Sequence, residues 1–371
     1  MSVNNRHVII YLRYMHECTT KNRIPFLKLL LQKKNFLFIL FLFFYHAILC
    51  QYNWKHLDDT LDAMHKVLGK NMVMLIYKND SIVYKKEFGK FSTKTIKPIA
   101  SCSKWLTAAC VMEFVDAGLL SLDDKVAQYI PSFNKESKRD ITIRQCLSHM
   151  TGIKDIGMVK GLIKRDQMLS LEEEVNSFAA EEMRESPGTG FWYGNIGVNI
   201  AARVLEVITN KSFEELIETC LFVPLDMIHT TFYPTGKAPV NPSGGAQSSP
   251  EDYMKFLSML LNKGVYKGKR ILSENAIEEM KKVQDNFENI RYAPKPAKGY
   301  KYASGSWVDE ENTGVAISLA SPGFFGTWPM INYCRDYAFI IFVKSLLTSK
   351  RADAEKRVKK MIDEVIKVES K

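Results

Sequence analysis

The sequence predicts an α+β fold in which one sheet is built from both ends of the chain around a long helical segment. Near the start, five apolar residues recur at helical spacing: Trp54, Leu57, Leu61, Met64 and Leu68. Two apolar runs of strand length follow them, and three more lie near the end, before an amphipathic helix. This order of elements predicts a single sheet with a helical insertion.

Residues 1–50 are predicted to be a leader, and 51–371 the folded domain. Lys33 and Lys34 precede the apolar run 36–49, after which the sequence turns polar. The run is shorter than the roughly 20 residues that a membrane-spanning helix needs, and the pattern is typical of a secretory signal peptide. We therefore expect export to the periplasm or the cell exterior. Membrane attachment is expected only through this segment, if it stays uncleaved or is lipidated.

The charge distribution argues against a nucleic-acid-binding protein. Of the net charge of +10, the leader contributes seven basic side chains and one acidic side chain, which leaves +4 for the domain. The five cysteines beyond the leader are widely spaced and include no Cys-x-x-Cys pair, which indicates buried thiols and no disulfide framework. His149 and His229 have no neighbours at zinc-ligand spacing, so neither a metal nor another cofactor is predicted.

The first two strands are predicted to form a hairpin. Residues 72–77 and 81–84 are apolar runs that flank the turn-like tripeptide Lys78-Asn79-Asp80. The later strands are predicted at 303–308, 315–319 and 337–343. The sheet thus comes from 51–98 and about 295–371, and the helical part from about 100–290. The last helix presents one apolar face: Val358, Met361, Ile362, Val365 and Ile366.

The tetrapeptide Ser101-Cys102-Ser103-Lys104 is a candidate nucleophile motif. A lysine three residues after a serine lies one helical turn away on the same face. Once partly desolvated, such a lysine can accept the serine proton. The motif opens an apolar helical run, where helix N–H groups favour developing negative charge; the alternative is a serine that only caps this helix. A second Ser-x-x-Lys, Ser132 to Lys135, lies in a polar loop without such support.

The second candidate motif is the segment 186–195, which ends in Tyr193-Gly194-Asn195. A tyrosine phenol is a poor base at neutral pH unless positive charge lies near it. Beside Lys104, the phenolate of Tyr193 becomes accessible and can relay a proton to and from Ser101. The amide of Asn195 can bind a substrate carbonyl or orient Lys104. Read alone, an aromatic residue before a Gly-Asn turn more often reflects packing and turn formation.

Together these motifs resemble the serine β-lactamase-related family, in particular class C β-lactamases, D-alanyl-D-alanine carboxypeptidases and related esterases. Four ordered segments within 54–368 carry the resemblance: 100–108, 141–152, 187–195 and 244–253. The resemblance implies a β-lactamase/transpeptidase-like α/β sandwich, with a mainly antiparallel sheet flanked by helices and a helical subdomain. It places the site in the cleft between these parts, and implies that His149 is structural.

The third motif departs from the family pattern. Where β-lactamases and penicillin-binding proteins have Lys-Thr-Gly, and many related esterases a version with histidine, this sequence has Ser321-Pro322-Gly323-Phe324. The resemblance implies that Gly323 permits close substrate approach and that the N–H groups of Ser101 and Phe324 hold the oxyanion. Ser321 can donate a hydrogen bond but carries no charge, so a substrate carboxylate loses its usual partner. This argues against β-lactam hydrolysis but not against acyl transfer at Ser101.

We therefore expect a serine hydrolase that cleaves an ester or amide bond of a small-molecule or peptide-like substrate through an acyl-enzyme on Ser101. Two alternatives stay open. A penicillin-binding D-alanyl-D-alanine peptidase or β-lactamase would be labelled by penicillin. A catalytically inactive binding relative is favoured by the missing cation, but the presence of Ser101, Lys104, Tyr193 and Asn195 opposes it.

Overall fold

The computed structural model of the protein describes residues 52–234, 236–285 and 288–368. The predicted leader lies outside these ranges. The helices are α1 (Lys55–Leu68), α2 (Ser103–Asp116), α3 (Ile143–Leu147), α4 (Met158–Arg165), α5 (Leu171–Ala180), α6 (Ile196–Thr209), α7 (Phe213–Ile217), α8 (Pro250–Leu261), α9 (Glu274–Met280) and α10 (Ser349–Val365). The longer strands are β1 (Met72–Lys78), β2 (Ser81–Phe88), β10 (Trp307–Asn312), β11 (Val315–Ala320), β12 (Trp328–Asn332) and β13 (Tyr337–Val343). The shorter ones are β3 (Lys97–Pro98), β4 (Phe191–Trp192), β5 (Gln247–Ser248), β6 (Val265–Tyr266), β7 (Lys269–Arg270), β8 (Ile290–Tyr292) and β9 (Lys301–Tyr302).

Seven strands form the main sheet, in the order β2-β1-β13-β12-β11-β10-β9, and all neighbours are antiparallel. Strands from the start and from the end of the folded domain pair at the second and third positions of the sheet, where Met72 of β1 lies opposite Val343 of β13. Helix α8 packs on β1, β12 and β13, and α1 packs on α10. The predicted α+β fold, with a mainly antiparallel sheet flanked by helices, is confirmed.

The predicted hairpin forms with a two-residue turn. Asn79 and Asp80 have φ of 50° and 56°, so both central residues are left-handed, as in the turns that match the twist of two paired strands. Asn and Asp tolerate this conformation better than most residues. The third predicted strand near the end, 337–343, coincides with β13.

The strand predicted at 303–308 begins later, at Trp307, because a turn at Gly305 interrupts it. Gly305 has φ of +79°, and a Cβ there would lie 2.8 Å from the carbonyl oxygen of Lys104. The turn therefore brings the chain directly against helix α2, and only glycine fits the contact.

Strand β12 was not predicted. All five of its residues are buried, so no polar–apolar alternation marks it. It also contains Pro329, a residue that argues against a central strand because it cannot donate to the ladder. The carbonyl of Pro329 accepts from Ser321, which keeps one bond to the neighbouring segment.

Helix α2 lies at the centre of the core and is apolar on nearly all sides, as expected for a buried helix. It packs on α6 and α9. Because α2 follows Ser101 directly, its burial fixes the position of the candidate nucleophile.

Cysteine burial follows the prediction in part: Cys102, Cys110 and Cys146 are buried, whereas Cys220 is half-buried and Cys334 is exposed. Within the described ranges, no helix is both long enough and apolar enough to cross a membrane.

Candidate active site

Ser101 lies in a 3₁₀ turn, Ala100–Cys102, immediately before α2. Ala100 has φ of +48°, a left-handed conformation that alanine rarely adopts. The hydroxyl of Ser103 donates to the Ala100 carbonyl at 2.6 Å and accepts from the N–H of Ala246 at 3.0 Å. These bonds hold a strained turn at the candidate nucleophile, as structures often do at functional sites. Cys102, not Ser101, occupies the N-cap position of α2, so Ser101 is not a capping serine.

Lys104 connects three parts of the site. Its Nζ lies 3.3 Å from Ser101 Oγ, 3.1 Å from Asn195 Oδ1 and 2.8 Å from the carbonyl oxygen of Ser243. The side chain is 1% exposed, and this burial lowers the pKa of Lys104 to about 7, because desolvation disfavours the charged form. A neutral amine has two N–H bonds for Asn195 and Ser243 and one lone pair for the hydroxyl of Ser101.

Ser243 was not among the predicted site residues. Its N–H donates to Asn199 Oδ1 of α6 at 3.0 Å, and its hydroxyl donates to Asn241 Oδ1 at 2.8 Å. These bonds fix the carbonyl that receives Lys104. Every residue has a backbone carbonyl, so the sequence does not indicate which carbonyl binds Lys104. The glycine-rich segment directly after Ser243 was the only signal near this contact.

Tyr193 faces the Ser101–Lys104 pair from the other side of the cleft. Its ring centroid lies 5.0 Å from Lys104 Nζ. Burial raises the pKa of Tyr193, and hydrogen bonds with Ser101 and Trp307 act in the opposite direction. The net shift of the pKa is upward, which favours the phenol form of Tyr193 at neutral pH. In this form it can donate a proton within the site. The role of Tyr193 as the partner base stays a prediction.

An aromatic cluster holds Tyr193 in place. The rings of His149 and Trp307 lie 4.6 and 4.9 Å from it, centroid to centroid. His149 Nε2 is 3.0 Å from the hydroxyl of the buried Tyr302. Burial, with a smaller contribution from the charge of Lys104, lowers the pKa of His149, so the imidazole is neutral. These contacts support the structural role that the resemblance implies for His149.

The third-motif segment lies against Ser101. The Ser321 hydroxyl is 3.4 Å from the carbonyl oxygens of both Ser101 and Gly305, so it donates to backbone in this structure. Phe324 is 45% exposed and lines the mouth of the cleft. All seven predicted site residues thus lie in or directly against one cleft. The substrate and oxyanion roles of Asn195, Ser321, Gly323 and Phe324 stay predictions.

Gly323→Ala is expected to lower the predicted hydrolase activity by about 100-fold while the protein still folds. A Cβ at Gly323 would overlap the Ile99 carbonyl oxygen and lie 3.1 Å from Cys102 Sγ, so the segment must move away from Ser101. A shift of about 1 Å at reacting groups costs about this much. Gly161→Ala is the matched control, because a Cβ there meets nothing within 4 Å. Unchanged turnover in Gly323→Ala would contradict the assigned close approach.

The cleft has a volume of about 600 Å³ and is lined mainly by apolar and aromatic side chains. These include Ile153, Trp192, Ile196, Tyr292, Pro294, Trp307, Pro322, Phe324 and Leu347. Charged lining residues are Asp155, Arg184 and Lys295, and the guanidinium of Arg184 lies 4.3 Å from the ring centroid of Trp192. Within residues 52–234, 236–285 and 288–368, no three His, Cys, Asp or Glu residues are arranged to hold a metal.

The second Ser-x-x-Lys sequence does not form a comparable pair. Ser132 Oγ donates to Asn176 Oδ1 at 2.7 Å, and Lys135 Nζ donates to the carbonyl of Ala179 at 2.9 Å. Its serine and lysine thus have separate partners, although Ser132 lies in a 3₁₀ turn, Pro131–Phe133, and not in the loop that the sequence predicts.

The sheet order and the serine–lysine–tyrosine cleft together define a protein of the β-lactamase/transpeptidase-like class. The chain belongs to the β-lactamase family, whose model matches residues 57–361. Family and fold relatives are serine hydrolases that include esterases, penicillin-binding proteins and amidases.

Individual relatives agree with this assignment. A candidate β-lactamase from Bacteroides dorei is 26% identical, with a TM-score of 0.75 over 85% of this chain and 99% of that one. EstCE1, a hydrolase with promiscuous acyltransferase activity, is 16% identical, with a TM-score of 0.68 over 83% of this chain and all of its own, and shows the fold alone. Protein flp of Staphylococcus aureus is 23% identical over 305 residues, which cover 72% of this chain and 58% of that protein. The chain thus spans little more than half of that relative.

Proposed function

We propose that the protein is an esterase-type serine hydrolase that acylates Ser101 with small, uncharged and mainly apolar acyl groups. One observation carries the proposal: the amine of Lys104 is buried, has its pKa lowered to about 7 and contacts Ser101 Oγ. A serine hydroxyl becomes a nucleophile when an adjacent base accepts its proton. A lysine that is partly neutral at pH 7 is such a base.

In the acylation step, Ser101 Oγ attacks the ester carbonyl carbon and its proton passes to the neutral Lys104 Nζ. The N–H groups of Ser101 and Phe324 are the proposed donors to the oxyanion. The C–O bond to the leaving alcohol then breaks, and the phenol of Tyr193 gives its proton to the leaving oxygen. The Lys104 ammonium, next to the Tyr193 ring, returns a proton to the phenolate.

Water then cleaves the acyl-enzyme by the same groups in reverse. The Tyr193 proton passes to the neutral Lys104 amine, and the phenolate takes a proton from the water as the water oxygen bonds to the acyl carbon. The Lys104 ammonium gives its proton to Ser101 Oγ as the bond between Oγ and the acyl carbon breaks. Each proton that enters this sequence leaves with the acid or alcohol product.

The lining of the cleft supports neutral apolar substrates. The residues of the third motif hold no cation, and the Ser321 hydroxyl is bonded to backbone carbonyls. A substrate carboxylate next to Ser101 therefore lacks a third-motif partner that would offset its desolvation. The fold likeness to EstCE1, whose activity is hydrolysis with acyl transfer, fits this proposal. From the signal peptide that the sequence predicts, we propose that the protein acts outside the cytoplasm.

Intact-mass analysis of the purified protein tests the proposal with three reagents: a fluorophosphonate, p-nitrophenyl acetate and a penicillin. We expect a stoichiometric fluorophosphonate adduct, a transient acetyl adduct with release of nitrophenol, and penicillin labelling at least about 100-fold slower. A fast and stable penicillin adduct would instead favour the D-alanyl peptidase. The absence of every adduct would point to an inactive binding relative.

A further inference from the structure

We propose that Arg184 and Lys295 form a subsite for a carboxylate on the alcohol part of the substrate. The inference rests on the proposed function, in which Tyr193 gives its proton to the leaving alcohol. It narrows the substrates of that proposal to esters whose acyl group is small and uncharged and whose alcohol carries the negative charge.

Arg184 is held at the cleft by two contacts. Its Nη2 donates to the backbone carbonyl of Asp155 at 2.9 Å, and its guanidinium carbon lies 4.3 Å from the ring centroid of Trp192. The indole of Trp192 in turn donates to the carboxylate of Glu185, and both Arg184 and Trp192 line the cleft. A guanidinium has several N–H groups, so one bond to a carbonyl leaves donors for the carboxylate of a ligand.

Neither Arg184 nor Lys295 is neutralised by a carboxylate of the protein. Among the described residues, no carboxylate oxygen lies within 4.0 Å of a charged nitrogen of either side chain. The next residue in the chain after Arg184, Glu185, has its carboxylate 3.7 Å from Arg291 instead. Both cations line the cleft and are exposed to solvent. Two positive charges are thus available to a ligand at the mouth of the cleft.

One acidic side chain, Asp155, lines the cleft as well. Its Oδ1 accepts from the N–H of Gly157 at 2.7 Å, and its Oδ2 lies so close to Gly194 that a Cβ there would be 3.0 Å away. This one negative charge faces the two positive charges of Arg184 and Lys295. The charged lining of the cleft, as far as the structure describes it, therefore favours an anion over a cation.

The position of the two cations relative to Tyr193 assigns them to the alcohol. Trp192, on which Arg184 stacks, directly precedes Tyr193 and pairs with Tyr292 of β8. The N–H of Tyr193 donates to the Tyr292 carbonyl at 3.1 Å, and Lys295 follows Tyr292 by three residues. In the proposed mechanism the leaving oxygen takes the Tyr193 proton, so the rest of the alcohol lies along this wall of the cleft.

Two pairs of esters test the inference, each with an anionic member and a neutral one. In 4-acetoxybenzoate and its methyl ester the charge is on the alcohol part, and in phenyl hydrogen adipate and phenyl hexanoate it is on the acyl group. For each pair, the ratio of kcat/KM for the anionic ester to kcat/KM for the neutral ester is measured in the native protein and in Arg184→Gln/Lys295→Gln. Comparing the two proteins cancels the intrinsic reactivity of the esters.

We expect the ratio of the 4-acetoxybenzoate pair to fall about 10-fold in the double variant, since an exposed charge contact contributes about 3-fold. The ratio of the adipate pair should change by less than about 2-fold. In the native protein, about 0.5 M NaCl should also lower the first ratio, because salt screens exposed charges. An unchanged first ratio would overturn the inference, and so would an equal fall in both ratios, because the cations would then not select the alcohol.

Arg139→Gln/Lys298→Gln is the matched control, since it removes the same two charges at exposed positions that do not line the cleft. Both ratios should equal those of the native protein. Arg184→Lys keeps the charge and should keep the first ratio within about 2-fold of the native value. A loss as large as that in Arg184→Gln would show that stacking on Trp192 matters and the charge does not, which would overturn the inference.

Failure of the proposed function gives a different result from failure of this inference. If the proposed function is wrong, the native protein forms no fluorophosphonate adduct and hydrolyses none of the four esters. If only the carboxylate subsite is wrong, the native protein hydrolyses the neutral esters, and the first ratio is the same in the native protein and in Arg184→Gln/Lys295→Gln.

Discussion

Ser101→Ala is expected to reduce ester hydrolysis by on the order of 10⁵-fold and to abolish covalent labelling by a fluorophosphonate. Alanine has no oxygen to form the acyl-enzyme, so only uncatalysed attack by water on the bound ester remains. Residual activity is measured with p-nitrophenyl acetate, and labelling by intact mass. Because the Ser101 side chain is small and lies at the cleft, the variant should fold and melt like the native protein.

Ser132→Ala is the control for this variant, since it alters the same residue type in the same Ser-x-x-Lys pattern. Ser132 bonds only to Asn176 among the described residues, and it does not line the cleft. Its hydrolysis rate and labelling should equal those of the native protein. Full labelling of Ser101→Ala, or loss of labelling in Ser132→Ala, would move the nucleophile away from Ser101.

Lys104→Met is expected to lower kcat/KM by about 10³-fold, because it removes the proposed base and keeps most of the length of the side chain. The native enzyme should also show a characteristic pH profile. Burial lowers the pKa of Lys104 to about 7, and only the neutral amine accepts a proton. kcat/KM for a neutral ester should therefore fall about tenfold per pH unit below 7 and level off above it. The remaining activity of Lys104→Met should not show this fall in kcat/KM below pH 7.

Lys138→Met is the matched control, a second buried lysine whose pKa is also lowered by burial. Its Nζ donates to the Glu181 carbonyl at 2.6 Å, outside the cleft. This variant should lose stability but keep both the rate and the pH step. A native profile that stays flat between pH 5 and 9 would exclude Lys104 as the base.

Much of the fold could be predicted from local sequence. The hairpin turn at Asn79 and Asp80 and the apolar strand 337–343 are specified by residues that are neighbours in the chain. Strand β12 was missed because it is buried on both faces and contains a proline, so its sequence shows no strand pattern. Only the neighbouring strands make this segment part of the sheet.

The candidate site divides in the same way. The sequence by itself determined the contact between Ser101 and Lys104, since a spacing of three residues at the start of a helix places both on one face. The contact between Lys104 and Asn195 joins residues that are 91 positions apart, and the sequence offered it only as one of two possible roles of the Asn195 amide.

Only the tertiary structure decided the electrostatics of the site. Packing by distant segments buries Lys104 and Tyr193, and this burial lowers the pKa of Lys104 and raises that of Tyr193. Distant segments also supply the Ser243 carbonyl that contacts Lys104 and the Trp307 indole that packs on Tyr193. The desolvation of a side chain and the backbone groups around it depend on which segments meet in space. These contacts are determined by the whole fold, so no short sequence pattern predicts them.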